Sequence, residues 1–281
     1  MRDLSQHPEF LAINTATLRQ WPLERIIEAC GRRGIRAIAP WHDDVERTGL
    51  ARTRQLLRDW DVALCGYCRA GLFPVSSEAE RAALSEHNRR VLDFARELEA
   101  PGVVIVAGGL PSSSRDLAGA RAQVRDGVAS LLDYAKTLSM PLAIEPLHPM
   151  YAADRACINT LEQALDLCDE LDPARSGALG VAVDCYHVWW DPKLDAQIAR
   201  AGRERIFACH LCDWLVPTRD MLNDRGMMGD GVIDIARLRG SIEATGFDGY
   251  LEVEIFSSAD WWQRDGNEVL DTCMARYRTV V

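Results

Sequence analysis

The chain alternates short apolar runs with longer segments in which apolar residues recur at helical spacing. Eight of the short runs are apolar at consecutive positions, which is typical of strands buried on both faces. These runs cover residues 10–15, 35–40, 62–68, 102–109, 141–147, 180–187, 206–213 and 249–256. Strands of this kind predict a parallel sheet that is covered by helices.

The segments between these runs predict amphipathic helices. Residues 23–34 carry apolar side chains at helical spacing and end at Gly34, a typical stop signal. Residues 76–100 open with two serines that suit an N-cap and continue as a long amphipathic pattern. Comparable patterns cover residues 114–138, 160–171, 234–246 and 262–277.

This alternation predicts an α/β protein with the (β/α)8 TIM-barrel fold. Eight repeats without a change in composition favour a closed barrel over an open sheet. No low-complexity linker divides the chain, so residues 1–281 are predicted to form a single domain. In such a barrel, the loops that follow the C-terminal ends of the strands build the functional site. Polar residues at those strand ends are therefore the candidates for chemistry.

Four polar residues interrupt the last four apolar runs near their C-terminal ends. They are Glu145, Asp184, His210 and Glu254. A buried carboxylate is costly unless it is paired or bound to a metal, and three carboxylates in one barrel mouth repel each other. One histidine cannot neutralise them, whereas a divalent cation can. Isolated ion pairs are the alternative, but few Lys or Arg residues lie in the neighbouring strands.

The donor types indicate which cation would bind. Three carboxylates and one imidazole suit Mn²⁺, Co²⁺ or Mg²⁺ and leave Zn²⁺ possible. The last apolar run holds a further acid, Glu252, on the same face as Glu254, because the two are two residues apart. Glu254 lies nearer the C-terminal end and is assigned as the ligand, and the role of Glu252 stays open.

Other residues at strand ends are candidates for substrate contacts. Asn14 ends the first apolar run, and Trp41 follows the second. His187 comes three residues after the predicted aspartate ligand and is well placed to bond a substrate hydroxyl. Aromatic side chains suit the C–H faces of a sugar, although packing explains Trp189 and Trp190 equally well.

Five segments in order, AIEP, VAVDCYH, ACHLCD, RGMMGDGVID and GYLEVEIF, resemble the xylose isomerase-like TIM-barrel superfamily of sugar isomerases and epimerases. This superfamily includes tagatose 3-epimerase-like, hydroxypyruvate isomerase-like and inosose dehydratase-like enzymes. The resemblance implies that Glu145, Asp184, His210 and Glu254 bind one Mn²⁺-like ion. It also implies that Glu145 and Glu254 act as an acid/base pair on opposite faces of the substrate.

The resemblance also bears on the substrate. Arg225 matches a loop arginine that reaches the substrate in the family, and residues 229–231 match its Gly-x-Gly loop. His148 stands where many relatives carry Asn, which leaves room for a different substrate or an added proton-transfer group. The predicted substrate-binding residues are therefore His187, Arg225, His148, Trp41 and Asn14.

These residues predict a divalent-metal-dependent sugar isomerase or epimerase that acts on a ketose or keto-sugar. A metal that binds a carbonyl and the adjacent hydroxyl acidifies the shared C–H and stabilises a metal-bound enediolate, and carboxylates on its two faces can remove and return a proton. The alternative is a lyase of the same fold, either an inosose-type dehydratase or an enzyme of β-elimination on a 3-keto-sugar, because both begin with the same proton abstraction.

Two further classes are disfavoured. A repair nuclease resembling endonuclease IV needs extra histidine ligands that the third and fourth apolar runs lack. A non-catalytic barrel is disfavoured because no predicted metal ligand is missing.

Charge and composition narrow the partners. The formal net charge of −10 and the pI near 5.1 argue against a nucleic acid or an anionic membrane as partner. The predicted partner is a small sugar or polyol-derived molecule, and a homo-oligomer is compatible with the chain. No loop rich in Lys, Arg or Gly indicates a phosphate site, which favours a non-phosphorylated substrate. The chain has neither a bilayer-spanning apolar run nor a secretory signal, so a cytoplasmic location is expected.

The chain contains nine cysteines, several of them inside apolar runs, where a reduced thiol acts as a small hydrophobe. Cys65 with Cys68, and Cys209 with Cys212, have the spacing of redox or zinc motifs. In an extended strand, residues i and i+3 point to opposite faces, which favours structural thiols over such a motif.

Overall fold

The computed structural model describes residues 1–112 and 114–281 and contains eleven strands. The strands are β1 (Leu11–Asn14), β2 (Ala37–Ala39), β3 (Ala63–Leu64), β4 (Tyr67–Gly71), β5 (Val103–Val106), β6 (Leu142–Glu145), β7 (Leu179–Asp184), β8 (Ile206–Leu211), β9 (Asp213–Trp214), β10 (Arg225–Gly226) and β11 (Leu251–Val253).

Nine of the strands form one sheet, in the order β3-β2-β1-β11-β8-β7-β6-β5-β4. All neighbours in this sheet run parallel, and a bridge between Trp41 and Cys68 brings its two edges together. The sheet is therefore a nearly closed TIM barrel, which confirms the predicted fold class. The remaining two strands, β9 and β10, form a short antiparallel ribbon.

The prediction of a single third strand over residues 62–68 was wrong. The segment divides into β3, which pairs with β2, and β4, which pairs with β5. The register of β4 against β5 shifts between Tyr67 and Ala70, a bulge of the kind that bends a strand away from its partner.

The sixth run also differs from its prediction, because the strand ends at Asp184 and not at His187. The side chain of Asp184 accepts a hydrogen bond from the backbone N–H of Tyr186 at 2.8 Å and so caps a helical turn over Cys185–Val188. His187 therefore lies on a short helix directly above the strand end.

Ten α-helices surround the sheet in the described part of the chain. They are α1 (Leu23–Arg32), α2 (His42–Thr48), α3 (Leu50–Asp59), α4 (Glu78–Glu97), α5 (Leu117–Thr137), α6 (Leu161–Leu171), α7 (Cys185–Val188), α8 (Leu194–Arg205), α9 (Ile235–Ala244) and α10 (Gly266–Thr279). Short 3₁₀ helices cover Pro8–Phe10, Thr15–Leu18, Pro149–Tyr151 and Trp261–Gln263.

The six helices predicted from periodicity are present, and two of their signals are confirmed. Ser77 caps α4 by accepting the backbone N–H of Glu80, and Gly34 follows α1 with φ +74°. The sequence did not predict α2, α3, α7 or α8. No helix in the described ranges is long and apolar enough to cross a membrane.

The barrel interior is filled by small side chains. Cys68, Val104, Ala143 and Ala182 form a buried cluster separate from the large core between strands and helices. Because these side chains are small, they leave space above them at the C-terminal ends of the strands.

Candidate metal centre

The four predicted ligands meet at the C-terminal rim of the barrel. Glu145 ends β6, Asp184 ends β7, His210 lies in β8, and Glu254 directly follows β11. One ligand atom from each lies within 4.8 Å of the others, and each residue is at most 6% exposed. Opposite ligands of an octahedral divalent cation are roughly 4.2 Å apart, so a small contraction would close this cluster around one ion.

His210 lies between two layers of carboxylates. Its Nδ1 is 2.9 Å from Glu145 Oε1, and its Nε2 is 3.7 Å from Glu252 Oε1. Burial opposes the charged ring, but Glu252, Glu145 and Glu254 outweigh it and raise the pKa of His210 well above its usual value. Nε2 is buried and has no hydrogen-bond partner among the described residues. A cation on Nδ1 would leave the ring proton on Nε2, facing Glu252.

Glu252 is held directly below the cluster. Asn14 Nδ2 donates to its Oε1 at 2.7 Å, and the thiol of Cys65 lies 3.4 Å from its Oε2. The carboxylate can therefore orient the ring of His210, as outer carboxylates commonly do for histidine ligands. The strand pattern placed Glu252 on the ligand face but did not indicate this contact.

Glu252→Gln is expected to weaken Mn²⁺ binding by about 10- to 100-fold, because the neutral amide attracts the Nε2–H of His210 less strongly than the carboxylate 3.7 Å away. Calorimetric titration of chelator-treated protein measures the change. Cys65→Ala is the matched control, since it touches the other oxygen of the same carboxylate and does not contact His210. Equal Mn²⁺ affinity in Glu252→Gln and the unmodified protein would contradict this role.

Arg225 partly neutralises the cluster. Its Nη1 lies 2.9 Å from Asp184 Oδ2 and 3.1 Å from Glu254 Oε2, and its guanidinium lies over the rings of Tyr186 and Phe256. Burial disfavours its charge, but the adjacent acids outweigh burial and raise the pKa of Arg225. Four carboxylates, those of the cluster and Glu252, outnumber Arg225 and His210, the two basic groups that contact them. This acidic, buried donor set fits a bound divalent cation.

Mn²⁺ is expected to stabilise the fold more strongly as the pH rises from about 6 to about 8.5. Burial raises the pKa of Glu254 from 4.5 to about 8, although Arg225 and His210 act in the opposite direction. Protonated Glu254 therefore stabilises the metal-free fold at low pH, and this contribution is lost as the pH rises from 4.5 to about 8. A cation must displace the proton of Glu254 and the Nδ1 proton of His210. A higher pH therefore both removes this contribution to the metal-free fold and favours binding of the cation. The difference in melting temperature with and without Mn²⁺ measures the trend, and a difference independent of pH would contradict it.

His187 lies at the mouth as a neutral ring, because burial lowers its pKa to about 3. Donors approach both ring nitrogens: the backbone N–H of His148 lies 3.3 Å from Nδ1, and a guanidinium N–H of Arg225 lies 3.2 Å from Nε2. A neutral imidazole carries one proton, so only one of these donors can bond the ring. Nε2 also lies 3.5 Å from Asp184 Oδ2.

A cavity of about 650 Å³ opens above the cluster, within the range of small-molecule sites. Of the five predicted substrate-binding residues, Trp41, His187 and Arg225 line it. Asn14 lies beneath Trp41 and accepts the indole N–H at 2.9 Å. The structure also places Arg19, Arg69, Tyr151, Arg155 and Phe256 in the lining, to which no role was assigned from the sequence.

His148 lies behind the cavity lining. Its ring stacks on Trp214 at 4.8 Å and meets the edge of Trp190 at 5.6 Å, and its Nδ1 accepts the backbone N–H of Met150. Trp189 packs against the same Trp214 at 5.7 Å. These rings form an aromatic layer that supports His187 from outside, so packing accounts for Trp189 and Trp190.

The Gly-x-Gly loop wraps around a buried carboxylate that the sequence did not single out. Asp213 accepts the backbone N–H groups of Gly229, Gly231 and Ile233 at 2.9, 2.9 and 3.0 Å. A Cβ at Gly231 would lie 2.1 Å from the carbonyl oxygen of Trp214, so only glycine fits there. This loop is therefore held by Asp213 next to the barrel mouth.

The cysteines behave as structural thiols. All nine are free, and eight of them are buried. Cys185 and Cys212 lie beside Asp184 with potential ligand atoms, but the Cys185 thiol donates to the Cys212 carbonyl at 3.1 Å and accepts its N–H at 3.2 Å. Burial raises the pKa of both thiols, which disfavours the thiolate that a metal would need.

Comparisons with known proteins agree with this architecture. A family model described as a xylose isomerase-like TIM barrel matches residues 25–273. The crystal structure of a protein from Sinorhizobium meliloti 1021 is 52% identical in sequence, with a TM-score of 0.93 over 97% of this chain and 98% of that one. No curated protein matches the chain.

Two more distant structures share the fold. The IolI protein with a bound zinc atom is 18% identical, with a TM-score of 0.82 over 96% of this chain and 98% of that one. The 3-keto-D-glucoside 4-epimerase YcjR from E. coli is 19% identical, with a TM-score of 0.73 over 92% of this chain and 94% of that one.

Proposed function

The chain belongs to the xylose isomerase-like TIM barrel family, and from this premise we propose that it is a divalent-metal-dependent isomerase or epimerase of a ketose or keto-sugar. The observation that carries the proposal is the cluster of Glu145, Asp184, His210 and Glu254 within 4.8 Å at the barrel mouth. Its oxygen-rich donor set favours Mn²⁺, with Co²⁺, Mg²⁺ or Zn²⁺ as alternatives. The zinc atom bound by the IolI protein supports a divalent cation in this fold.

The two glutamates are the proposed acid/base pair. A bound cation would polarise the substrate carbonyl and stabilise negative charge on its oxygen. Glu145 and Glu254 lie on β6 and after β11, which are separated in the sheet by β7 and β8. Their carboxylates therefore approach the cavity from different sides. One would remove the proton next to the carbonyl, and the other would return a proton to the opposite face.

The cavity lining would orient the sugar. His187 would form a hydrogen bond to a substrate hydroxyl through Nε2, and Arg225 would donate a guanidinium N–H to a neighbouring oxygen. Trp41 and Phe256 form an edge-to-face pair at 5.7 Å and offer apolar surface for the C–H groups of the sugar. Asn14 would act through Trp41, and His148 through His187, without direct contact with the substrate.

A panel of ketoses and keto-sugars in D₂O tests the proposal. The Mn²⁺-loaded protein is expected to incorporate deuterium next to the carbonyl of its substrate and to release a product of otherwise unchanged mass. Loss of water or of an aglycone would instead identify the lyase of the same fold. Absence of deuterium incorporation and of product across the panel would contradict both.

A further inference from the structure

Three arginines line the cavity without a carboxylate partner. Arg19, Arg69 and Arg155 form no salt bridge or side-chain hydrogen bond within residues 1–112 and 114–281, although all three face the cavity that contains the candidate metal centre. Many other arginines of the barrel are paired, such as Arg54 with Glu97 and Arg237 with Asp195. The cavity brings three guanidinium groups together in a chain whose net charge is −10.

These arginines come from separate parts of the barrel, and two of them lie over one indole. Arg69 lies in β4, Arg155 in the segment between β6 and α6, and Arg19 after the 3₁₀ helix that follows β1. The guanidinium carbons of Arg19 and Arg69 lie 5.2 and 5.5 Å from the ring of Trp41, which Asn14 anchors. Contact with a ring face leaves the N–H groups of an arginine free to donate.

The balance of charge in the cavity leaves these arginines in excess. A divalent cation together with Arg225 would neutralise the three carboxylates of the metal centre. The other charged residues of the lining are the three arginines and two acids, Asp43 and Asp154. Neither aspartate forms a salt bridge with a cavity arginine among the described residues. The three arginines therefore outnumber the two aspartates in this part of the lining.

Arg69 and Arg155 carry like charges in the lining of the same cavity. Burial lowers the pKa of Arg69, and the charge of Arg155 lowers it further, whereas Asp43 acts in the opposite direction. An anionic group bound by both guanidinium groups would offset this repulsion. Guanidinium matches the oxygens of both carboxylate and phosphate through paired hydrogen bonds.

We propose that the substrate carries an anionic group, a carboxylate or a phosphate, which Arg69 and Arg155 bind while Arg19 supports it across Trp41. This inference rests on the proposed function, because it names the substrate class of the same cavity. The carbonyl end of the substrate faces the metal centre, and the acidic end faces the arginines. The substrate is accordingly an acidic ketose, either a sugar acid or a sugar phosphate.

Three ketohexoses that differ only at C6 test this proposal. D-Fructose carries a hydroxyl there, D-fructuronate a carboxylate, and D-fructose 6-phosphate a phosphate. Their affinities for the Mn²⁺-loaded protein are measured by tryptophan fluorescence, for which Trp41 is a reporter inside the cavity. At least one acidic ketose is expected to bind about 10- to 100-fold more tightly than D-fructose, and the tighter of the two identifies the anionic group.

Arginine variants assign the preference to the site. In Arg155→Gln and in the double variant Arg69→Gln/Arg155→Gln, the acidic ketose is expected to bind only a few-fold more tightly than D-fructose. Arg58→Gln is the matched control, because it removes the same charge from a different cavity. This variant should keep the preference for the acidic ketose over D-fructose. Arg155 is exposed, so its single variant serves if the double variant does not fold. Equal binding of all three ketoses, or a preference that survives in Arg155→Gln and in a folded double variant, would overturn the proposal.

Deuterium exchange in the same samples separates this proposal from the proposed function. Exchange into a ketose without any preference for the acidic forms would overturn the anion site and leave the isomerase standing. A preference for an acidic ketose that the arginine variants abolish would support the anion site, even if no ketose of the panel exchanged deuterium. That lack of exchange would count against the proposed isomerase.

Discussion

Glu145→Gln is expected to slow the interconversion of the substrate epimers by about 10²- to 10⁴-fold. Glutamine keeps the shape of the side chain but cannot accept a proton from carbon. Glu254→Gln is expected to cause a loss of the same order, because interconversion needs a base on one face and an acid on the other. The two variants should differ in deuterium exchange, since each retains a base for only one of the two epimers.

Measuring exchange separately from each purified epimer therefore assigns a face of the substrate to each glutamate. The metal content of every variant is measured in parallel, so that loss of the ion is not mistaken for loss of the base. Glu86→Gln is the control, since Glu86 is an exposed acid of α4 far from the rim. Full interconversion by Glu145→Gln at normal metal content would exclude Glu145 as a proton-transfer group.

Asp184→Asn is expected to remove the bound metal and abolish turnover. Asp184 is fully buried between Arg225 and His187, and burial opposes its charge, but those two residues and His210 outweigh burial and lower its pKa. The carboxylate is therefore ionised and ready to bind a cation. Because Asp184 has no proposed role in proton transfer, its variant separates metal binding from acid/base chemistry. We expect a loss of Mn²⁺ affinity larger than the roughly 10- to 100-fold typical of groups behind the ligands.

The control for Asp184→Asn is Asp172→Asn. Asp172 is also a buried carboxylate paired with an arginine, since it lies 2.9 Å from Arg205, but it is not part of the rim cluster. Removing it is expected to lower the melting temperature and to leave the Mn²⁺ affinity unchanged. Metal analysis of both purified variants, with titration of Mn²⁺, provides the comparison. If the purified Asp184→Asn variant retained stoichiometric metal, the proposed metal centre would be excluded.

Much of the fold was predictable because strand and helix periods are local properties. Eight apolar runs alternated with amphipathic segments, and the parallel barrel followed from that alternation. The errors occurred where the backbone leaves the path of a continuous strand. Asp184 caps a turn and ends β7 early, and the third run divides into β3 and β4 at residues 65–66. Local hydrophobicity contains no signal for either feature.

The proposed ligands were accessible from the sequence for a related reason. A carboxylate or imidazole inside an apolar run is conspicuous, and parallel strands in a barrel bring their C-terminal ends to one rim. Residues in loops and helix starts lack this constraint. His42, which followed the second run, faces away from the cavity and bonds the hydroxyl of Tyr67 at 2.9 Å. His148 lies behind His187 for the same reason, because its direction depends on the path of the loop.

By itself, therefore, the sequence determined the barrel and the candidate ligand set, since both depend on residues that occupy fixed positions along strands. The tertiary structure alone decided what surrounds those ligands. It placed Glu252 beneath His210, and it brought Arg19, Arg69 and Arg155 into one cavity although 136 positions separate the first from the last. The sequence offered no loop rich in Lys, Arg or Gly and so favoured a non-phosphorylated substrate. Long side chains from distant parts of the chain converge only when the barrel closes, and that convergence is the physical basis for inferring an acidic substrate.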